Sequence, residues 1–292
     1  MEKKPTVKDV AKAAGVSVAT VSYIMNNRTD QKISEQTRKK VLQIANLLNY
    51  TPSHAAKTLA TGRNNIIGVS YHLNESTPSR NLEITGFVNL IIERLNRLNY
   101  DVLFLPLRAV EDNLPINRNI DGILTIDLSH NQFVELADNY MVPIVNIDMI
   151  INDSLFYQIY SDYPRLINQG KEILGNDCYL IMDKFDNANY GNFITSEFDS
   201  ERIIYFQDCT KDELLDLRNK KALIIGTYLT LMVKPYLDES NIVVISSNET
   251  NHILPDEIKV IYNDISKKAN LAINILMNAI DKKFDVAHDY KV

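Results

Sequence analysis

Apolar positions follow two different rhythms along this chain. Up to about residue 50 they recur at helical spacing in three short stripes. Val7, Val10, Ala11 and Ala14 form the first, which Thr6 opens with Asp9 three residues on, a capping-box-like start. Gly15 stops it, Gly15-Val16-Ser17 reads as a tight turn, and Ser17 stands where an N-cap is needed. In the second stripe Val21, Ile24 and Met25 face inward, which leaves Val18, Ala19, Ser22, Tyr23 and Asn26 outward. A third helix starts at Ser34 and is expected to bury Val41, Ile44, Ala45 and Leu48.

From residue 66 the rhythm changes to short apolar runs alternating with amphipathic stretches. Strands are predicted at 66–71, 101–106, 120–126, 143–148, 178–182, 202–206, 222–225 and 242–245. Helices are predicted at 82–98, 130–140, 163–174, 211–219 and about 264–282. In the first of these helices Phe87, Leu90, Ile91, Arg94 and Leu98 share a face. Alternation of this kind gives an α/β body of mostly parallel sheets with helices on both faces. Over some 225 residues it splits into two lobes, with a cleft at the C-terminal ends of the strands.

Charge separates the same two regions. Residues 1–65 hold eleven Lys/Arg against four acids, a net of +7, and the remainder holds 20 against 33, a net of −13. A basic head on an acidic body points to a polyanion at the head, with a merely solvated basic surface as the alternative. The 292 residues, 45% hydrophobic and 23% charged, are ordinary for globular domains and exclude a disordered or collagen-like chain. Cys178 and Cys209 are too few for a disulfide framework and lack metal-ligand spacing. No apolar run reaches the length of a membrane span, and Met1 to Pro5 lead into no apolar signal region, so a cytoplasmic address is expected. Phosphate-loop, nucleophile-elbow and zinc-protease motifs do not occur, and His54, His72, His130, His252 and His288 are scattered. No cofactor or metal is expected.

Two helices joined by a three-residue turn, with a third in support, make a helix-turn-helix, whose second helix fits the DNA major groove. A generic three-helix bundle would carry a more charged outer face. Here that face is small: Ser17, Thr20, Ser22 and Asn26 suit phosphate contacts and close approach to base edges. The run from Thr6 to Ser22, then Asn26-Asn27, Ser34 to Arg38, Leu48 to Pro52 and Ala55 to Ala60, strongly resembles the headpiece of the lactose-repressor (LacI/GalR) family of bacterial transcription regulators.

The resemblance implies that Val18, Ala19 and Tyr23 face bases, and that Thr6, Ser17, Thr20, Ser22, Asn26 and Tyr50 hold the DNA backbone. Position 23 often carries a guanine-reading Arg in that family. Tyr23 cannot make the bidentate contact, so the operator differs while the binding mode stays. Residues 53–61 have helical composition but are too short to be stable alone, which by itself suits a plain linker equally well. The resemblance favours a hinge helix that folds against its dimer mate in the minor groove through Ala55, Ala56, Leu59 and Ala60, with Leu59 as the apolar wedge. A homodimer on a pseudo-palindromic double-stranded operator follows, since one headpiece makes too few base contacts for useful specificity. The segment after Asp285 lacks the leucine heptads of a tetramer.

The body is similar to the family's periplasmic-binding-protein-like core, with departures. The segment between Leu107 and Ile120 is short for the usual helix, residues 183–200 are compressed without a counterpart to the family's sugar-clamping Arg, and Ser246-Ser247-Asn248-Glu249 replaces Gly-Phe-Asp-Asp. What remains implies Asp148, Asn248 and Asn263 in an effector pocket for a sugar or sugar phosphate; polar loop residues at strand ends are the plainer reading. The expected organisation is a headpiece at 1–52, a hinge at 53–64 and an effector-binding and dimerisation domain at 65–292. The function implied is a repressor answering to a small molecule, with an effector-free or partner-controlled repressor and, lastly, an enzyme on a sugar or nucleoside as alternatives.

Overall fold

A computed structural model of the chain describes residues 5–25, 31–50, 62–107, 119–247, 250–283 and 288–292. Two compact units appear, Met1–Asn64 and Asn65–Val292.

The first unit is built from α1 (Val7–Ala14), α2 (Val18–Met25) and α3 (Glu35–Leu47). Asp9 Oδ2 accepts from the Thr6 N–H at 2.8 Å and from its hydroxyl at 2.7 Å, which fixes the start of α1. Gly15 ends it in the left-handed region at φ 68°, a conformation that costs glycine nothing. Ser17 Oγ accepts from the Thr20 N–H at 3.0 Å and so opens α2; Ser34 does the same for α3 through Thr37 at 3.1 Å. Val10, Ala11, Ala14, Val21, Ile24, Val41 and Ala45 close into one small core. Leu48 does not join it. It is the residue that caps the end of α3, past the last turn of the buried stripe, and is exposed.

In the second unit the strands are β1 (Ile66–Tyr71), β2 (Asp101–Phe104), β3 (Gly122–Ile126), β4 (Ile144–Ile147), β5 (Tyr157–Tyr160), β6 (Tyr179–Met182), β7 (Ile203–Tyr205), β8 (Ala222–Ile225), β9 (Ile242–Ser247), β10 (Lys259–Asn263) and β11 (Asp289–Lys291). The helices are α4 (Pro78–Arg97), α5 (His130–Asn139), α6 (Tyr163–Leu174), α7 (Ala188–Thr195), α8 (Lys211–Asp216), α9 (Thr227–Val233) and α10 (Ile265–Ile280). The described strands form two sheets, ordered β11-β5-β4-β3-β1-β2 and β10-β9-β8-β6-β7, with every pairing parallel. Helices cover both faces, so β3, β4 and β8 are buried along their whole length and read as continuous apolar runs. The chain passes from the first lobe to the second after β5 and returns after β10, where α10 packs on β3, β4 and β5. Close packing demands glycine at Gly170 of α6, where a Cβ would stand 2.6 Å from Leu223 of β8.

Three differences from the sequence expectations have physical causes. The helix expected from Leu82 begins four residues earlier, because Pro78 with its fixed φ is a natural first residue of a helix. Leu98, expected on its apolar face, is the residue after its last turn and is exposed. The strands β5, β10 and β11 and the helices α7 and α9 are three to eight residues long, too short to carry a period of their own. The segment 108–118 lies outside the described residues.

Candidate functional site

On the headpiece the outward face of α2 carries Val18, which is 42% exposed, and Ala19, also exposed. Tyr23, Ser22 and Thr20 flank them half-buried. The Ser17 and Thr20 hydroxyls lie 2.8 Å apart, so the first turn of α2 presents two hydroxyls and its N-terminal N–H groups on one side. Thr6 is exposed at the start of α1, and Tyr50 rests against the headpiece core, where burial pushes its hydroxyl above the ordinary value. Lys8, Lys12, Lys39 and Lys40 are exposed around these elements. Such a surface can admit a nucleic-acid backbone and let a helix approach base edges. Asn26 and the hinge residues Ala55, Ala56, Leu59 and Ala60 fall outside the described residues.

The body's cleft opens where the strands of both sheets end, as the topology dictates. Ile126 ends β3, Asp148 follows β4, Asp183 follows β6, Ile225 ends β8, Ser247 ends β9 and Asn263 ends β10; all line one cavity with about 50 Å³ of free space, room for a few waters. Of the sequence-derived pocket residues, Asp148 and Asn263 therefore meet in the cleft, and Asn248 lies outside the described residues.

Sequence reasoning did not find the charged centre of this cleft. Lys268 of α10 sends its Nζ to both Asp148 oxygens, at 2.7 and 2.9 Å, and to Ser161 Oγ at 3.0 Å. Arg80 of α4 donates through Nε to Asp127 Oδ2 at 3.1 Å, and its Nη2 stands 3.6 Å from Asp148 Oδ2. The Phe185 ring lies 4.1 Å from the centre of that guanidinium. Asp127 and Asp148 both sit in the left-handed region, at φ 48° and 52°, which turns their carboxylates inward from the strand ends. A signal for Lys268 was present: it occupies the apolar stripe of α10 with Ala269, Ala272, Ile275 and Leu276, where a lysine is buried only if paired. For Arg80 the signal was Pro78, which starts the helix early enough to carry it into the cleft.

Burial works against every charge here. It pushes the Asp127 carboxyl up to about 7, with Arg80 and the Asn187 N–H opposing. Burial would raise Asp148 as well, but Lys268 and then Arg80 outweigh it and hold this carboxyl below its ordinary value. Glu83 and Asp183 are both raised by burial, each partly offset by the hydrogen bonds it accepts.

Several contacts tie the lobes across the cleft. Glu83 of α4 accepts the Thr227 N–H at the start of α9, at 2.9 Å. Ser79, also on α4, donates its hydroxyl to Asp183 Oδ2. Asp127 Oδ1 accepts the Asn187 N–H at 3.1 Å, and His72 Nδ1 lies 2.7 Å from Asp186 Oδ2. Asn187, at the N-cap of α7, also donates to the Leu128 carbonyl at 3.2 Å and accepts the Ile150 N–H at 3.0 Å. These contacts hold the two lobes around a polar centre. Among the described residues no His, Cys, Asp and Glu group suits a metal ion.

The family model for "Bacterial regulatory proteins, lacI family" matches residues 6–53, which contain the three headpiece helices. The headpiece segment matches the LacI family. The chain is 31% identical over 163 residues to the probable HTH-type transcriptional repressor ExuR of Bacillus subtilis, covering 54% of the chain and 47% of that protein. It is 30% identical over 206 residues to the HTH-type transcriptional repressor PurR of Pasteurella multocida, covering 65% and 59%. Over 66 residues it is 47% identical to the HTH-type transcriptional regulator DegA of Bacillus subtilis, covering 23% of the chain and 19% of that protein. The chain thus spans about half the length of the curated relatives it matches. Among solved structures the lac repressor dimer bound to operator and the anti-inducer ONPF superposes with a TM-score of 0.64 at 17% identity, covering 99% of this chain and 96% of that one. A periplasmic binding protein/LacI transcriptional regulator from Alkaliphilus metalliredigens, complexed with D-xylulofuranose, gives 0.53 at 14% identity over 78% and 95%. These likenesses establish the fold of the chain: a helical headpiece and a two-lobed periplasmic-binding-protein-like core. Among the described residues no helix is long and apolar enough to cross a membrane.

Proposed function

We propose that this protein is a transcriptional repressor that binds a pseudo-palindromic operator as a homodimer and is controlled through the cleft of its body. The observation that carries the reading is the outward face of α2, made of small side chains behind a Gly15 turn, within a segment that matches the LacI-family model. Val18, Ala19 and Tyr23 read base edges, with Val18 and Ala19 suited to thymine methyl groups. Thr6, Ser17, Thr20, Ser22, Asn26 and Tyr50 hold phosphates and set the register. The hinge at 53–64 places Ala55, Ala56, Leu59 and Ala60 at the minor groove and transmits the state of the body.

In the body, Asp148, Asn248 and Asn263 belong to the effector pocket, and Arg80 and Lys268 join them on the strength of their position in the same cleft. The effector is a small sugar-like molecule, in keeping with the relatives named for sugar operons and with the sugar-complexed neighbour. A regulator rather than an enzyme, working in the cytoplasm, fits relatives named as transcriptional repressors. The test is selection of bound duplexes from a random pool by the full chain, followed by anisotropy titration at two salt concentrations. A two-fold symmetric consensus bound by a dimer is expected. A protein that stays monomeric and ignores every duplex at low ionic strength would overturn the proposal.

A further inference from the structure

We infer that the cleft takes a ligand carrying a protonated amine on a polyhydroxylated frame, an amino sugar in chemical class, rather than a neutral or phosphorylated sugar. This rests on the reading of the cleft as the effector site. The cations of the cleft are already engaged. Lys268 has three N–H donors, and Asp148 and Ser161 accept all of them. Arg80 is turned onto Asp127 and Asp148 beneath the Phe185 ring. Four acidic side chains, Glu83, Asp127, Asp148 and Asp183, surround these two cations, and even with Asp127 holding its proton up to about 7 the acids outnumber the bases. A phosphate entering it would meet a single open guanidinium nitrogen, Arg80 Nη2, among these acidic groups.

Two side-chain atoms among the described residues are buried without a hydrogen bond, and both belong to residues lining this cleft: Asp183 Oδ1 and Arg80 Nη2. Asp183 is 6% exposed, and its other oxygen is taken by Ser79. An acceptor that carries negative charge calls for a cationic donor, and the open guanidinium N–H calls for an oxygen acceptor, which a hydroxyl beside the amine provides. An ammonium and a neighbouring hydroxyl on one small molecule supply both. The raised carboxyls of Asp183 and Glu83 fit the same picture, since an arriving ammonium favours their charged forms and expels protons. The Ser79–Asp183 and Glu83–Thr227 contacts bridge the lobes at this cavity, so a ligand that reaches Asp183 displaces or parts them.

Isothermal titration of the full-length protein with D-glucosamine, D-galactosamine, their parent sugars and the parent 6-phosphates tests this. At least one amine is expected to bind ten-fold or more tighter than its parent sugar and 6-phosphate, with proton release seen as a difference between two buffers at pH 7. Asp183→Asn should lose at least ten-fold of that affinity, with circular dichroism of the variant controlling for folding. Equal or tighter binding by neutral or phosphorylated sugars overturns the amine inference while leaving the cleft as the site. Binding that ignores both Asp183→Asn and Asn263→Ala, or no binding by any of the six, overturns the inference and the cleft reading together.

Discussion

The Lys268 ammonium sits 2.7 and 2.9 Å from the two oxygens of Asp148, both residues being buried, and it ties α10 to the end of β4. Removing one partner leaves the other as an uncompensated interior charge. Lys268→Met is therefore expected to destabilise the body by about 3–5 kcal/mol, whereas pairing it with Asp148→Leu should recover a large part of the loss. Urea denaturation followed by circular dichroism measures both. A single variant as stable as the wild type would show that the pair carries no such energy.

Asp127 gives the body a pH dependence with a defined sign. An unfolded aspartate titrates near 3.9, whereas in the folded cleft burial holds the proton to about 7. Between those values the native state binds more protons than the unfolded state, so this group makes stability fall as pH rises, by at most about 1.4 kcal/mol per pH unit, with the slope gone above about pH 8. Asp127→Asn should remove that component from urea midpoints measured between pH 4.5 and 8. Equal slopes in the two proteins would refute the assignment.

Glu83 caps the start of α9 from the opposite lobe. Glu83→Ala leaves those N–H groups without their partner and is expected to weaken lobe closure by about 1–3 kcal/mol. Small-angle scattering should then record a larger radius of gyration, and limited proteolysis a faster cut in the body.

At the headpiece, Tyr23→Arg is expected to shift the selected operator toward guanine at the contacted position, because only Arg offers the bidentate fork. The slope of affinity against salt should change little, since Tyr23 is assigned to bases and not phosphates. A selection experiment that returned the same consensus would remove Tyr23 from the base-reading set.

Leu59→Ala should weaken specific binding by about 1–3 kcal/mol and leave phosphate-driven nonspecific binding intact, because the apolar wedge acts only where the duplex is kinked. Anisotropy on operator and on random duplex separates the two effects. Unchanged operator affinity would end the hinge proposal.

The sequence by itself determined whatever depends on near neighbours along the chain. The Thr6 and Asp9 cap, the Gly15 turn, the Ser17 cap and the buried stripe of Val21 and Ile24 are all local, each set by hydrogen bonds and spacing within four residues. The strands β1 and β8 and the helix α6 were legible to the residue, since a continuous apolar run or a strong helical period marks an element that is buried on its own account. Tertiary structure alone decided the rest. The short strands β5, β10 and β11 exist because a parallel neighbour supplies their hydrogen bonds. The cleft joins Arg80, Asp127, Asp148, Asp183 and Lys268 from positions up to 188 apart in the numbering, and a charge in the interior is tolerable only once its distant partner has arrived. Local pattern cannot encode that meeting, because the energy that fixes it is zero until the two sheets have formed.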